Sequence, residues 1–352
     1  MAFRDYKVDL HCHLDGSLPL KTVKSLIFSQ RGLFDKVELE AFSDDEYLKK
    51  VLTVSDDCDS LDEYLKCFSL PLKLLQTPDA MLVAGRGVAE ELIRQNVRYA
   101  EVRFAPQLHS KHAIYNEKYE YEKEIIKALL RGIESVTKHS RTKINVLLCM
   151  MRNLPDGDEG WLANTRTLFL AKEYLGYGVC GVDLAGAEAR DATAKFENFF
   201  RLANDQKIPF TIHVGEAGDD KWRLDSIERA IYFGAKRIGH GVGLKESKAL
   251  RHIIRENGIV VECCPKSNLD TKAVTDGIES HPIKMLLDEG IKVTINTDNM
   301  TVSDTTLDKE YELLRTGLGL SDEEIRKTQL NAIDGAFISE KEKEKIKRRE
   351  GF

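Results

Sequence analysis

The chain has 352 residues, 42% of them hydrophobic and 31% charged, with 52 basic residues against 58 acidic for a formal charge of −6. That is the make-up of a globular protein with a sizeable core rather than of a disordered or fibrous chain. The acidic balance, and basic residues that form no concentrated aromatic-laced patch, disfavour a nucleic-acid partner.

The first predicted strand, "KVDLHCHL", places Val8, Leu10, Cys12 and Leu14 on one face and Lys7, Asp9, His11 and His13 on the other, with Asp15 following if the extension continues. Taken alone it has two readings, an amphipathic strand whose polar face meets water or a pair of metal-ligating imidazoles. A long segment follows, from about Asp15 to Asn96, with several helical patterns. In one of them, "LDEYLKCF", Leu61, Tyr64, Leu65 and Phe68 recur at the spacing of a single helix stripe. Ordinary packing and a cap over a site both account for that stripe.

Seven further strand-like runs come next: "VRYAEVRFAP", "INVLLCMMR", "VCGVDLAG", "PFTIHVGE", "KRIGHGV", "GIVVECCP" and "KVTINTDN". Each is separated from the next by a helical pattern with recognisable punctuation. "SKALRHIIRENG" stops at Gly258, and "HPIKMLLDEG" has Pro282 near its first turn and stops at Gly290. The closing run "EKEKEKIKRRE" reads as a solvated helix face. The length alone allows one large domain or two modest ones. Eight strands alternating with helices, and no Gly-x-Gly-x-x-Gly turn after the first, favour an α/β protein of the (β/α)8 TIM-barrel type over a doubly wound sheet. The expected organisation is one domain over residues 1–352, with a helical lid inserted at about 16–95.

Seven cysteines, an odd number with several inside apolar runs, argue against a disulfide framework. "MAFRDYK" passes into the first strand without an apolar signal stretch, and no run has the length that spans a bilayer. A cytoplasmic protein without a membrane partner is expected.

Barrel enzymes carry their chemistry at the C-terminal ends of the strands. Strand one ends in His11, Cys12, His13, Leu14 and Asp15, strand five in His213 and Glu216, strand six in His240, and strand eight in Asp298 and Asn299. Four of the nine histidines fall at these ends, which tilts the reading of the first strand toward a site. His11, His13, His213 and Asp298 can meet in one lumen, and imidazoles with a carboxylate suit Zn2+. His240 and Glu216 remain for proton transfer in a metal-assisted hydrolysis. Strand four ends "DLAG" without a lysine to bridge two ions, so one zinc per chain is expected. Asp183 has two readings, a ligand to a second ion or, as the more ordinary role, a buried carboxylate that supports a ligand from behind.

"HCHLDGSL", "CMMRNLP", "GVDLAGAE", "TIHVGE", "RIGHGV", "CCPKSN" and "INTDN", in this order and spacing across nearly the whole chain, resemble the adenosine deaminase family of metal-dependent amidohydrolases. The resemblance implies zinc on His11, His13, His213 and Asp298. It also implies Glu216 as the acid that protonates purine N1, His240 as the group that orients or deprotonates the attacking water, and Asp298 sharing that work. The implied reaction is hydrolytic deamination of adenosine and 2′-deoxyadenosine to the inosine products and ammonia, a purine-salvage step. For substrate contacts it implies His13, Gly186 at purine N3, Asp15 at the ribose 5′-hydroxyl, and an apolar lid of Leu61, Leu65 and Phe68. Adenine deaminases of the same branch read "HLEG" where this chain reads "HLDG", and a carboxylate there would repel a 5′-phosphate. Animal members usually read "NTDD", whereas Asn299 stands second here; its amide N–H can still donate to N7. The rival expectations are a deaminase of adenine or another 6-aminopurine such as methylthioadenosine and, behind it, a cyclic-amide amidohydrolase with two metal ions. A non-catalytic relative would be expected to lack Glu216 or a ligand, and none is missing. The expected partners are a small purine nucleoside and water, with the chain a monomer or weak homo-oligomer.

Overall fold

The computed structural model describes residues 6–351 apart from Asp56, Asn153, Pro155, Asp156 and 189–191. Eight parallel strands are formed: β1 (Lys7–His13), β2 (Val97–Phe104), β3 (Lys143–Met151), β4 (Val179–Ala185), β5 (Thr211–Val214), β6 (Arg237–His240), β7 (Val260–Cys263) and β8 (Val293–Ile295). They pair in chain order as two runs, β1 to β4 and β5 to β8. Two narrow seams close the ring. Val182 N–H donates to the Pro209 carbonyl at 3.0 Å between the runs. At the other seam Asp298 N–H donates to His11 C=O and His13 N–H to Asp298 C=O, both at 2.7 Å.

Helices outside and packed side chains inside cover both strand faces, which is why the runs read as almost unbroken apolar stretches. β3 is buried from Ile144 to Met150. The surface reading of the first strand fails for the same reason. Its apolar face packs outward, with Val8 and Leu10 against Tyr99, Ala332 and Ile333, and its polar face points into the barrel. There Asp9 accepts from Thr297 Oγ1 at 2.6 Å and from His11 N–H at 3.1 Å.

The segment between β1 and β2 holds the helices Leu20–Ser29, Lys36–Ser43, Asp45–Leu52, Leu61–Tyr64, Ser69–Leu74 and Pro78–Arg94. The last packs along Lys118–Thr137, the helix after β2, and so belongs to the outer ring. The part that stands over the barrel mouth therefore ends before Pro78, short of the expected boundary near 95. It is tied to the loop after β8: Val54 N–H reaches Val302 C=O at 2.8 Å, and the hydroxyls of Tyr64 and Ser303 lie 2.8 Å apart. The single helix expected over "LDEYLKCF" is broken into an α turn and a 3-10 turn, Leu65–Phe68, before the α-helix restarts at Ser69. Pro71 accounts for the break, since its ring would strike the carbonyl of Cys67 in a continuous α-helix.

All seven cysteines are free thiols. Among the described residues no helix is long and apolar enough to cross a membrane.

The lower half of the barrel is filled with charge. Arg237 donates to Glu101 Oε2 at 2.6 Å and to Glu262, lies over the Phe337 ring at 3.7 Å, and reaches Gly335 C=O at 2.8 Å. Arg103 donates to Asp183 Oδ2 and Glu262 Oε2, each at 2.9 Å. All five of these charged side chains are fully buried. Removing one member of such a cluster leaves uncompensated charge in a low dielectric. Arg237→Met is expected to lower stability by about 3–5 kcal/mol, read as a shift in the urea denaturation midpoint with unchanged slope.

Candidate active site

The C-terminal ends of β1 and β5 and the first residues after β8 bring His11, His13, His213 and Asp298 together, with one ligand atom from each within 4.8 Å of the others. Asp298 Oδ1 lies 3.4 Å from His11 Nε2 and 3.3 Å from His13 Nε2, and the Nε2 atoms of His13 and His213 are 3.2 Å apart. His11 Nε2 is fully buried and has no hydrogen-bond partner. An orphaned, inward-facing imidazole lone pair is costly unless a cation satisfies it. Three imidazole nitrogens and one carboxylate oxygen make a donor set that fits a divalent metal ion. A second possible group, His240, Cys264 and Asp298, shares the same carboxylate. Burial holds the Cys264 thiol well above its ordinary pKa, which disfavours the thiolate a metal would need.

What aims the imidazoles lies beneath them. Glu262 Oε2 accepts from His11 Nδ1 at 2.8 Å and Asp183 from His213 Nδ1 at 3.0 Å. Carboxylates behind Nδ1 fix the proton there and leave each Nε2 as a lone pair toward the centre. Both carboxylates rest on the single Arg103 guanidinium, and against the burial that opposes it the Arg103 and Arg237 charges hold Glu262 well below the usual carboxylate range. Asp183 is thereby committed, as expected, to supporting His213. Gly239 makes room for the arrangement: a Cβ there would lie 3.0 Å from His11 Cε1.

Glu216 and His240 flank this cluster, with Glu216 Oε2 3.5 Å from His240 Nε2. Burial, with the Asp298 and Glu188 carboxylates nearby, pushes the Glu216 carboxyl up to about 8. Asp298 behaves oppositely: burial would raise it, but His11, His13 and His240 hold it well below the ordinary value. His240 and Asp298 both have φ near +60°, at 60° and 57°, a left-handed backbone that non-glycine residues adopt at a cost and that clusters at functional sites.

Four side chains that the sequence did not single out support these residues. Glu188, within the quoted "GVDLAGAE", accepts backbone N–H bonds from Gly215, Glu216 and Ala217 at 2.8, 2.8 and 3.0 Å and shapes the turn that aims Glu216. The helix after β7, Pro265–Asp270, brings Ser267 Oγ–H to Asp298 Oδ2 at 2.6 Å and Asn268 Nδ2 to His240 Nδ1 at 2.9 Å. Thr271, just beyond it, donates to Glu216 Oε1 at 3.1 Å. The motif "CCPKSN" was visible as a string, but its side-chain partners lie on other strands, so spacing carried no sign of them.

A cavity of about 250 Å3 opens above the cluster. His13, Asp15, Leu61, Leu65, Phe68, Gly186, His213, Glu216, His240, Asp298 and Asn299, all singled out from sequence, line it; His11 lies behind as a fully buried group. Tyr64, Leu72, Phe104, Leu108 and Met151 extend its apolar wall. Gly186 has φ 99°, a conformation that a side chain would strain. No lysine or arginine is among the described lining residues. Of the quoted run "CMMRNLP", Asn153 and Pro155 lie outside the described residues.

The family model described as adenosine deaminase matches residues 6–349. The adenosine deaminase of Haemophilus ducreyi is 40% identical over 343 residues, covering 96% of this chain and 94% of that protein. An adenosine deaminase of Clostridium botulinum is 38% identical over 343 residues, covering 97% and 96%. Among solved structures, an N6-mAMP deaminase of Arabidopsis superposes with a TM-score of 0.81 at 26% identity, covering 98% and 97%. An adenine deaminase of Arthrobacter aurescens, at 20% identity, a TM-score of 0.78 and coverage of 98% and 97%, shares the fold. Matched along almost its entire length, and at close to two residues in five with curated relatives, the chain belongs to the adenosine deaminase family.

Proposed function

We propose that the protein hydrolyses the 6-amino group of adenosine and 2′-deoxyadenosine, releasing ammonia and the corresponding inosine nucleoside. The observation that carries this reading is the convergence of His11, His13, His213 and Asp298 at the floor of a cavity whose wall also presents Glu216 and His240. The four converging groups would hold one zinc ion. Such an ion, when bound, would supply Lewis acidity that lowers the pKa of water from about 15.7 toward about 7 and so would make a nucleophile available at neutral pH.

The chain's own groups account for the rest. Glu216, protonated at neutral pH, donates to ring N1 and draws electron density from C6, the carbon to be attacked. Asp298, held ionised at the floor, faces the attacking water together with His240. The Gly186 N–H and the Asn299 amide meet N3 and N7, and Asp15 accepts from the ribose 5′-hydroxyl. Leu61, Leu65 and Phe68 cover the purine and exclude solvent, which strengthens the electrostatic contacts beneath. A 6-aminopurine nucleotide, the substrate class named for the Arabidopsis neighbour, is the second reading. The described lining residues count against it, because they offer a carboxylate at Asp15 and no cationic side chain for a phosphate.

Side-by-side assay of adenosine, 2′-deoxyadenosine, adenine, methylthioadenosine and AMP tests the assignment; the two nucleosides are expected to exceed adenine and AMP by at least about 10²-fold in kcat/KM. Glu216→Gln is expected to retain metal and lose about 10²- to 10⁴-fold in kcat. Because the proton donor is the acid form, wild-type kcat/KM should fall as pH rises through about 8, a limb that titrations of rate against pH will show in the wild type. His213→Ala removes a nitrogen ligand, and metal analysis of the purified variant should find the ion lost along with activity.

A further inference from the structure

One chain of hydrogen bonds behind His240 has a direction set by the backbone. Ile283 N–H donates to His281 Nδ1 at 3.2 Å, His281 Nε2 lies 3.1 Å from Asn268 Oδ1, and Asn268 Nδ2 lies 2.9 Å from His240 Nδ1. His281, Asn268 and His240 are all buried, so water does not compete for these contacts. A peptide N–H can only donate, which makes His281 Nδ1 an acceptor and puts that ring's proton on Nε2. Nε2–H then donates to Asn268, fixing which amide atom is oxygen. The remaining NH2 donates to His240 Nδ1. Turning the amide over would require His281 to carry its proton on Nδ1, directly opposite the Ile283 N–H, so the alternative arrangement is excluded by donor facing donor.

We propose that Asn268 and His281 are positioning residues that hold His240 in the tautomer with its proton on Nε2, so that His240 meets the reacting centre as a hydrogen-bond donor. Glu216 Oε2, 3.5 Å from that nitrogen, lies on the side where such a donor is useful. The consequence for the proposed reaction is a division of labour. His240 orients the oxygen nucleophile by donating to it, and Asp298, whose Oδ2 accepts from Ser267 Oγ–H, is left as the group that accepts the proton. Both residues lie outside the substrate cavity and act only through His240. The relay also explains why the helix Pro265–Asp270 and the segment at His281–Ile283, separate in sequence, are joined at one buried amide. An imidazole held in the wrong tautomer costs a histidine-dependent hydrolase about 10⁴-fold.

The test uses zinc-loaded enzyme labelled with 15N in the histidine rings, the His240 signals being assigned by their loss in His240→Gln. In the wild type the His240 ring is expected to show a protonated Nε2 and an unprotonated Nδ1. Asn268→Asp has the same shape but offers only acceptors, so it should invert that pattern and lower kcat by about 10²- to 10⁴-fold, with bound zinc and KM for adenosine close to wild type. His281→Gln, which still presents an amide N–H toward Asn268, should retain the wild-type tautomer. A wild-type ring protonated on Nδ1 would overturn the inference even if the aspartate variant fails to fold, and so would an inverted ring in that variant at wild-type kcat. The division of labour rests on the deaminase reading, whereas the ring shifts do not. The expected tautomer in a protein that turns over no adenosine would keep the relay and reject the substrate.

Discussion

The buried Arg103 guanidinium is the interaction on which the site depends. It lies at the barrel axis between Asp183 and Glu262, and those two carboxylates fix the Nδ1 protons of His213 and His11. Without a cation between them, two carboxylates in a fully buried layer would take up protons rather than ionise. Their grip on the imidazoles would change from acceptor to donor, and each Nε2 would present a proton to the centre in place of a lone pair. One arginine on β2 thus orients two imidazoles that come from β1 and β5. Such charge in a core is a poor source of stability. Its return here is geometric, since it leaves no freedom in how the imidazoles face.

The same cavity keeps two carboxylic groups in opposite protonation states. Asp298 is surrounded by three imidazoles and a serine hydroxyl and stays ionised, while Glu216, buried and flanked by other carboxylates, has its pKa pushed up to about 8. Environments that push two acids apart in this way assign them to different tasks. Glu188 sharpens the contrast: its carboxylate is held by three backbone N–H groups beside Glu216 and so adds negative charge where a second anion is least welcome.

Much of this was legible in the sequence because it is local. The two-residue alternation of "VDLHCHL" places His11 and His13 on one face, glycine and proline mark the helix ends near Gly258, Pro282 and Gly290, and the histidines collect at strand ends. The barrel, and the side chains that converge at its mouth, follow from those signals. Arg103, Glu262, Asn268 and His281 were not legible as parts of the site, because each acts through a partner on another element, from 13 to 251 positions away. The helix drawn over "LDEYLKCF" failed for a local reason, the pyrrolidine ring of Pro71, which a periodicity count over the preceding residues does not include. The residues it placed on one stripe nevertheless face one cavity, since Leu61, Tyr64, Leu65 and Phe68 all line it.

The seam between β8 and β1 has a consequence for how the enzyme comes into being. The two backbone hydrogen bonds that close the ring join His11 and His13 to Asp298, so the carboxylate enters its place in the same event that completes the barrel. With seven strands placed, the three imidazoles already have Glu262 and Asp183 behind two of them, but the fourth donor is missing and a sheet edge is open. The four-donor set is therefore complete only once the last strand closes on the first.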